Sequence, residues 1–166
     1  EMCIRDSFMI VPNASMIPKV FNWLLSKSKN FSVKVDNKSE DYFCIAVQGP
    51  ESLRLLRQYL NVSISPFKLT KLDDLIISGT GYTGEKGYEI IGPLSECLTV
   101  WQSFLDMGAI PIGLGARDTL RLEKGYLLSG TDFNGSQTTL ESGYSWVIDW
   151  KHDFIGKEKL VSQKES

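Results

Sequence analysis

Apolar and polar positions change their spacing along the chain, which predicts short strands interleaved with helices. The run from Tyr42 to Val47 is continuously apolar, too short for a helix, and rich in aromatic and β-branched residues, so it predicts a strand. Phe8 to Val11 predicts a strand with no earlier element to pair with it. The remaining predicted strands cover residues 31–35, 67–69, 75–77 and 87–91.

Helical spacing of apolar residues predicts two helices in the first sixty residues. The first begins near Asn13 or Ser15, has Pro18 in its first turn and reaches Lys29, and we expect it to face the core. The second follows the Gly-Pro pair at residues 49–50. Its apolar stripe consists of Leu53, Leu56 and Leu60.

A third helix is predicted between Pro93 and Gly108. Its expected core stripe consists of Leu94, Leu98, Trp101 and Leu105. Because several successive strands are joined by turns instead of helices, long parallel crossovers are not needed. The pattern therefore predicts an α+β fold of ferredoxin-like units, with a mostly antiparallel sheet and helices packed on one face.

Composition narrows the function classes. The chain has 166 residues, a formal net charge of −2 and 42% hydrophobic residues, which is enough for a real core. Its basic residues are scattered, so we expect no nucleic-acid partner. No apolar run approaches the roughly 20 residues that a spanning helix needs, so we expect no membrane segment.

Cysteine and histidine positions bear on metal sites and on location. The three cysteines are far apart and form no Cys-x-x-Cys pair, which predicts neither a zinc site nor a disulfide framework and favours a reducing, cytoplasmic compartment. The single histidine, His152, lies in a polar turn, where we expect it to be exposed and without a functional role.

Gly79, Gly81 and Gly84 match the glycine spacing of a dinucleotide-binding turn. That turn requires a helix beginning at the glycines, whereas residues 87–92 return as a strand. We therefore predict a hairpin that turns at residues 84–87. A symmetric hairpin about this turn places Tyr82 opposite Glu89, a phenol beside a carboxylate.

A second polar cluster lies at residues 117–121. From spacing alone, the favoured interpretation is that Asp118, near a helix start, pairs with Arg121 at i+3 and that Arg117 is an ordinary surface residue. A binding role for this cluster is the alternative.

Several of these segments together resemble one known family. They are GYTGEKGYEI from Gly81, PIGLGARDTLRLEKGYLLSGTDF from Pro111, TTLESG from Thr138, and WVID leading to DFIGK from Trp146. Val11 to Ser15 is similar to the family's VNAS segment, and residues 47–50 to its VQGP turn. The resemblance is to the glycine cleavage system T-protein, the aminomethyltransferase family, and covers nearly everything from Phe8 onward.

The resemblance implies a tetrahydrofolate site and assigns residues to it. Glu89 and Arg117 match the family's pterin-binding pair, and Tyr82 matches its hairpin tyrosine. This agrees with their chemistry, because a carboxylate accepts from the adjacent amino and N–H groups of a pterin while a guanidinium donates to its carbonyl. Asn13 is a weaker assignment, since an N-cap role explains it equally well.

The implied reaction moves a one-carbon unit from an aminomethyl-lipoyl carrier protein, the H-protein, to tetrahydrofolate with release of ammonia. The family's catalytic Asp lies in a segment before the one resembling Phe8 to Ser15, and this sequence contains no counterpart. We accordingly expect a fragment that lacks this segment and the C-terminal barrel lobe. Its expected divisions are an unmatched tail at 1–7, a folate-binding region at 8–150 with a possible break near 61–66, and the start of a truncated lobe at 151–166.

Two alternatives remain open beside the aminomethyltransferase. A non-catalytic folate-binding relative that maintains iron–sulfur proteins has a KGCYxGQE-like motif, whereas this chain has no cysteine at residues 153–158. A folate-dependent demethylase, or the folate-using lobe of an oxidase, shares the pterin pair. Folate is therefore the firmer expectation, and the one-carbon donor the less firm.

Overall fold

The computed structural model describes residues 2–4 and 7–165, which fall into two compact units, Glu1–Lys124 and Gly125–Ser166. The strands are β1 Met2–Ile4, β2 Ser7–Met9, β3 Tyr42–Gln48, β4 Leu69–Leu72, β5 Leu75–Ser78 and β6 Gly87–Pro93. The helices are α1 Ile17–Ser28, α2 Ser52–Leu60, α3 Cys97–Asp106, α4 Leu114–Glu123 and α5 Lys157–Glu165. Single 3₁₀ turns occur at Ala14–Met16, Leu94–Glu96 and Ser145–Val147.

A four-stranded antiparallel sheet in the order β3-β6-β5-β4 organises the first unit. Successive side chains of the central strand β6 point to opposite faces of the sheet. Tyr88 and Ile90 point into the core, and Glu89 points to the other face. Helices α2 and α3 supply the rest of this core. The ring of Phe104 on α3 lies 6.3 Å from that of Tyr88 and 5.1 Å from that of Tyr59 on α2. The predicted α+β class is confirmed.

The predicted strands at 42–47, 75–77 and 87–91 and the helix after residues 49–50 are confirmed. Helix α2 buries Leu55 and Leu56 and ends at Asn61, whose left-handed backbone (φ 53°) provides the C-cap. The helix was predictable from its helical apolar spacing, and the strands were predictable from short apolar runs that are rich in β-branched and aromatic residues.

The third helix forms as predicted, but its predicted core stripe is wrong. Val100 and Phe104 are its buried residues, whereas Leu98 is 80% exposed. Leu94 and Trp101 are exposed as well. The helix is apolar on two sides, so the period identified a helix and left open which side meets the sheet.

Two further expectations are wrong. Helix α1 has no buried residue, and Trp23 within it is half exposed, so it does not face a core among the residues described. Residues 31–35 are irregular, and Phe31 and Val33 are exposed. A strand requires hydrogen bonds to a neighbour, and none of the described strands pairs with this segment.

The first predicted strand does have a partner, contrary to expectation. β1 pairs with β2 in antiparallel register, with Cys3 opposite Phe8. Of the segment set aside as a tail, residues 1, 5 and 6 lie outside the described residues. The proposed divisions at 61–66 and 150 stay predictions.

The second unit is built mainly from turns, with α5 near its end. The Tyr144 hydroxyl accepts from the Leu127 backbone N–H at 3.2 Å, and the Thr138 hydroxyl donates to Gln163 Oε1 at 2.9 Å. His152 is exposed as predicted, with Nδ1 2.7 Å from Asp149 Oδ2. The Lys151 backbone N–H and then the His152 ring lower the pKa of Asp149.

Nowhere in residues 2–4 and 7–165 is there a helix with the length and apolarity that crossing a bilayer requires. The same residues contain no group of three or more His, Cys, Asp or Glu side chains suited to a metal ion.

Candidate folate-binding site

Glu89 lies at the centre of the sheet, on the face opposite α2 and α3. Strand pairing places Ala46 of β3 on one side of it and Ser78 of β5 on the other. The predicted pairing of Tyr82 with Glu89 is therefore wrong. Residues 79–86 form a long loop that leaves the sheet, so the register is set four residues further back than a tight hairpin would set it.

Two hydroxyl groups join the Glu89 carboxylate in a hydrogen-bonded chain. The Thr80 hydroxyl donates to Glu89 Oε2 at 2.5 Å, and Ser78 Oγ lies 2.7 Å from Thr80 Oγ1. Because the single proton of Thr80 is used on the carboxylate, Ser78 is the donor to Thr80. The chain fixes one carboxylate oxygen and leaves acceptor capacity on the other.

The loop at residues 79–86 replaces the predicted tight turn. Gly84 has the positive φ expected of a turn glycine (76°), but the chain continues from it into β6 and not into a helix, so the dinucleotide interpretation is excluded. Gly79 is needed for close approach, since a Cβ there would lie 2.1 Å from the Ser65 carbonyl oxygen.

Tyr82 and Arg117 are brought together by this loop and α4. The guanidinium carbon of Arg117 lies 4.7 Å from the centroid of the Tyr82 ring, a cation–π arrangement. Tyr82 is partly buried and Arg117 exposed. Among the described residues, Arg117 and Glu89 form no ion pair, so the two halves of the expected pterin pair do not neutralise each other.

The Asp118–Arg121 pair predicted from spacing is confirmed. Arg121 Nε donates to Asp118 Oδ1 at 2.7 Å, and the Arg121 side chain is 3% exposed while that of Asp118 is half exposed. Burial of the guanidinium was not predicted, because i, i+3 spacing specifies the partner and gives no information about the depth. Arg117, one turn earlier, is free to face the loop.

Asn13 caps a turn, which is the role that the sequence analysis gave as the alternative to ligand contact. Its side-chain oxygen accepts from the backbone N–H of Ser15 at 3.2 Å and from the Ser15 hydroxyl at 2.9 Å, at the start of the turn that leads into α1. The capping role is established by this geometry, and ligand contact by Asn13 remains a prediction.

Cys44 lies on the same sheet face as Glu89, two residues before Ala46 on β3. The Cys44 side chain is exposed at its surface, and the partial desolvation that remains on the sheet, followed by the negative charge of Glu89, raises the pKa of its thiol.

Ser78 and Thr80 were missed at the sequence level, as was the side chain of Gln48. Gln48 directly follows the strand predicted at residues 42–47, and in the structure it is the last residue of β3. Its amide forms hydrogen bonds with Thr80 and Thr83 in the loop at residues 79–86. The sequence signal for these contacts was the glycine content of the loop. Glycines indicate that another group packs closely against the backbone, but they do not identify that group.

Comparison with known proteins shows which family the chain belongs to. Residues 2–152 match the GCVT N-terminal domain family. The chain is 44% identical to the aminomethyltransferase of Pseudothermotoga lettingae, over 95% of this chain and 46% of that protein. It is 42% identical to the aminomethyltransferase of Halothermothrix orenii, over 97% of this chain and 48% of that protein.

A solved structure shows the same architecture. The crystal structure of the glycine cleavage system aminomethyltransferase T from Bartonella henselae superposes with a TM-score of 0.83 at 26% identity, over 92% of this chain and 44% of that one. The chain thus spans about half the length of the relatives it matches. It belongs to the GCVT N-terminal domain family, and the predicted resemblance to the T-protein is confirmed.

Proposed function

We propose that this chain forms the tetrahydrofolate-binding part of an aminomethyltransferase of the glycine cleavage system. The bound folate would supply the nucleophilic nitrogen that takes up a one-carbon unit from an aminomethyl-lipoyl carrier protein, with release of ammonia. The partner in this proposal is the carrier H-protein, and the scattered cysteines favour the cytoplasm as the compartment.

One observation carries the proposal: a partly buried carboxylate lies on the sheet face opposite α2 and α3, with one oxygen already hydrogen-bonded. Thr80 occupies Glu89 Oε2, and Glu89 keeps lone pairs for two adjacent N–H donors. A pterin edge offers such a donor pair. The residues present therefore fit the folate ring system.

Tyr82 and Arg117 complete the fit. The phenol ring offers a flat apolar surface, and Arg117, stacked on it, would donate to the ring carbonyl of a bound pterin. In this arrangement the chain's own residues orient the folate, and exclusion of water from the reacting nitrogen contributes further.

Glu89→Gln tests the proposal. The change keeps the shape of the side chain and replaces one acceptor by an N–H₂ donor, which would face the donors of the pterin. We expect tetrahydrofolate binding to weaken by about 1–3 kcal/mol, roughly 5- to 150-fold in Kd, measured by calorimetry under reducing conditions.

Glu40→Gln is the matched control, because Glu40 is exposed in a turn outside the sheet. It is expected to bind tetrahydrofolate as the unsubstituted chain does. Equal affinities for the unsubstituted chain and Glu89→Gln would remove Glu89 from the site.

A further inference from the structure

Gln48 is the last residue of β3, and its side chain contacts the neighbouring strand β6 and the loop at residues 79–86. Its Nε2 donates to the backbone carbonyl oxygens of Thr80 at 3.2 Å and Tyr88 at 3.0 Å. Its Oε1 accepts from the Thr83 hydroxyl at 3.2 Å. One amide group thus bonds to both ends of the loop's first half and to the strand that follows.

The loop is shaped around this amide. A Cβ at Gly81 would lie 1.9 Å from Gln48 Oε1, and a Cβ at Gly87 would lie 2.6 Å from Gln48 Cδ. Both glycines therefore leave the space that the Gln48 side chain fills. Any larger residue at position 81 requires Gln48 to move.

The base of the loop is attached near the same point. The Gly49 N–H donates to the Lys86 carbonyl at 2.7 Å, and the buried Ser52 hydroxyl lies 3.1 Å from that carbonyl oxygen. These bonds hold the end of the loop. Gln48 holds its beginning, where Thr80 and Tyr82 lie.

The link to the candidate site runs through Thr80. Gln48 bonds to the carbonyl of Thr80, and the hydroxyl of the same residue bonds to Glu89. Tyr82, two residues further on, lies under Arg117. The position of the loop therefore determines whether Thr80 can donate its hydrogen bond to Glu89. It also determines whether the Tyr82 ring can stack against Arg117.

We infer that Gln48 is a positioning residue: its amide holds the loop at residues 79–86 in the conformation that places Thr80 on Glu89 and Tyr82 beneath Arg117. Gln48 does not need to touch the ligand for this role. The inference rests on the proposed function only where it makes the loop a wall of the folate site.

Gln48→Met is the decisive variant, because methionine keeps the length and volume of the side chain and removes the amide. Gln58→Met is its matched control, since Gln58 is exposed on α2 and its amide contacts only Arg54 among the described residues. Two measurements are made on each protein.

The first measurement is limited chymotrypsin digestion, read by mass spectrometry. Cleavage at Tyr82–Thr83 reports release of the beginning of the loop, and cleavage at Phe31–Ser32, in an exposed irregular segment, is the internal reference. In Gln48→Met we expect the ratio of the two rates to rise about tenfold, as loss of several hydrogen bonds opens the loop. In Gln58→Met the ratio should not change.

The second measurement is the Kd for tetrahydrofolate, with the thermal unfolding midpoint recorded alongside. We expect Gln48→Met to weaken binding about tenfold with little change in the midpoint, a split that general destabilisation does not give. An unchanged cleavage ratio would overturn the inference. So would a freed loop with unchanged folate affinity.

The two proposals fail separately. If the unsubstituted chain binds no tetrahydrofolate while Gln48→Met still frees the loop, the proposed function is wrong and the hold of Gln48 on the loop stands. If the unsubstituted chain binds and Glu89→Gln weakens binding while Gln48→Met changes neither measurement, the function stands and the inference about Gln48 is wrong.

Discussion

Tyr88 and Glu89 are chain neighbours in opposite environments. The Tyr88 side chain is fully buried beneath α3, and its hydroxyl has no hydrogen-bond partner among the described residues. Glu89, facing the other way, has Thr80. Burial raises the pKa of the Tyr88 phenol well above its ordinary value. The core therefore contains a neutral hydroxyl group that makes no hydrogen bond among the described residues.

Tyr88→Phe removes this unpartnered hydroxyl and keeps the ring packed against Phe104. We expect the free energy of unfolding at pH 7.5 to stay the same or to increase by up to about 1 kcal/mol, measured by urea denaturation. Tyr42→Phe, which removes an exposed hydroxyl, is the control and should change it by less than about 0.5 kcal/mol.

The sign of the pH dependence follows from the same burial. Because the folded-state pKa of Tyr88 is raised, the unfolded chain ionises this tyrosine first, and stability falls as the pH rises above the unfolded value near 10. Tyr88→Phe lacks this loss, so its advantage should widen between pH 9.5 and pH 11, roughly the range around that value. A clear loss of stability at pH 7.5 would mean that the hydroxyl is bonded after all.

At the scale of elements, the sequence predicts those whose own residues show a clear pattern. Helix α2 has the apolar spacing of a helix, and strands β3 and β6 are short runs rich in β-branched and aromatic residues. The loop at residues 79–86 was not predictable, because its shape depends on Gln48, more than thirty residues earlier, and no local rule relates the two. The expected facing of Tyr82 and Glu89 failed for that reason, whereas the assignment of Tyr82, Arg117 and Glu89 to the site from the family motifs stays a prediction.

Gly81→Ala tests the packing of this loop. The added Cβ would lie 1.9 Å from Gln48 Oε1, so one of the two must shift, and we expect a loss of about 1–3 kcal/mol in the free energy of unfolding. Combined with Gln48→Ala, which vacates the space, the cost of Gly81→Ala should fall, giving a coupling energy of about 1 kcal/mol or more in a double-mutant cycle.

Gly115→Ala is the matched control for this cycle. Gly115 lies in α4, a Cβ there meets no atom within 4 Å, and alanine is a better helix former, so the change should be neutral or stabilising and independent of Gln48. Additive effects of Gly81→Ala and Gln48→Ala would show that the amide and the glycine do not share the space.

At the scale of the whole molecule, the 166-residue chain spans about half the length of the relatives it matches. It belongs to the aminomethyltransferase family. The two matches include 95–97% of this chain but only 46–48% of each relative. It holds the residues proposed to bind the pterin.

We therefore expect the purified 166-residue chain to bind tetrahydrofolate weakly and to transfer no measurable aminomethyl group. Positioning dominates this kind of reaction: a displacement of about 1 Å can cost on the order of a hundredfold, so a chain that spans about half of its relatives' length is not expected to hold both reactants in place. The measurement supplies aminomethylated carrier protein and tetrahydrofolate and follows methylene-folate formation, with the intact Pseudothermotoga lettingae aminomethyltransferase as positive control. Turnover comparable to that control, in a preparation shown to be free of host enzyme, would place the chemistry within these 166 residues.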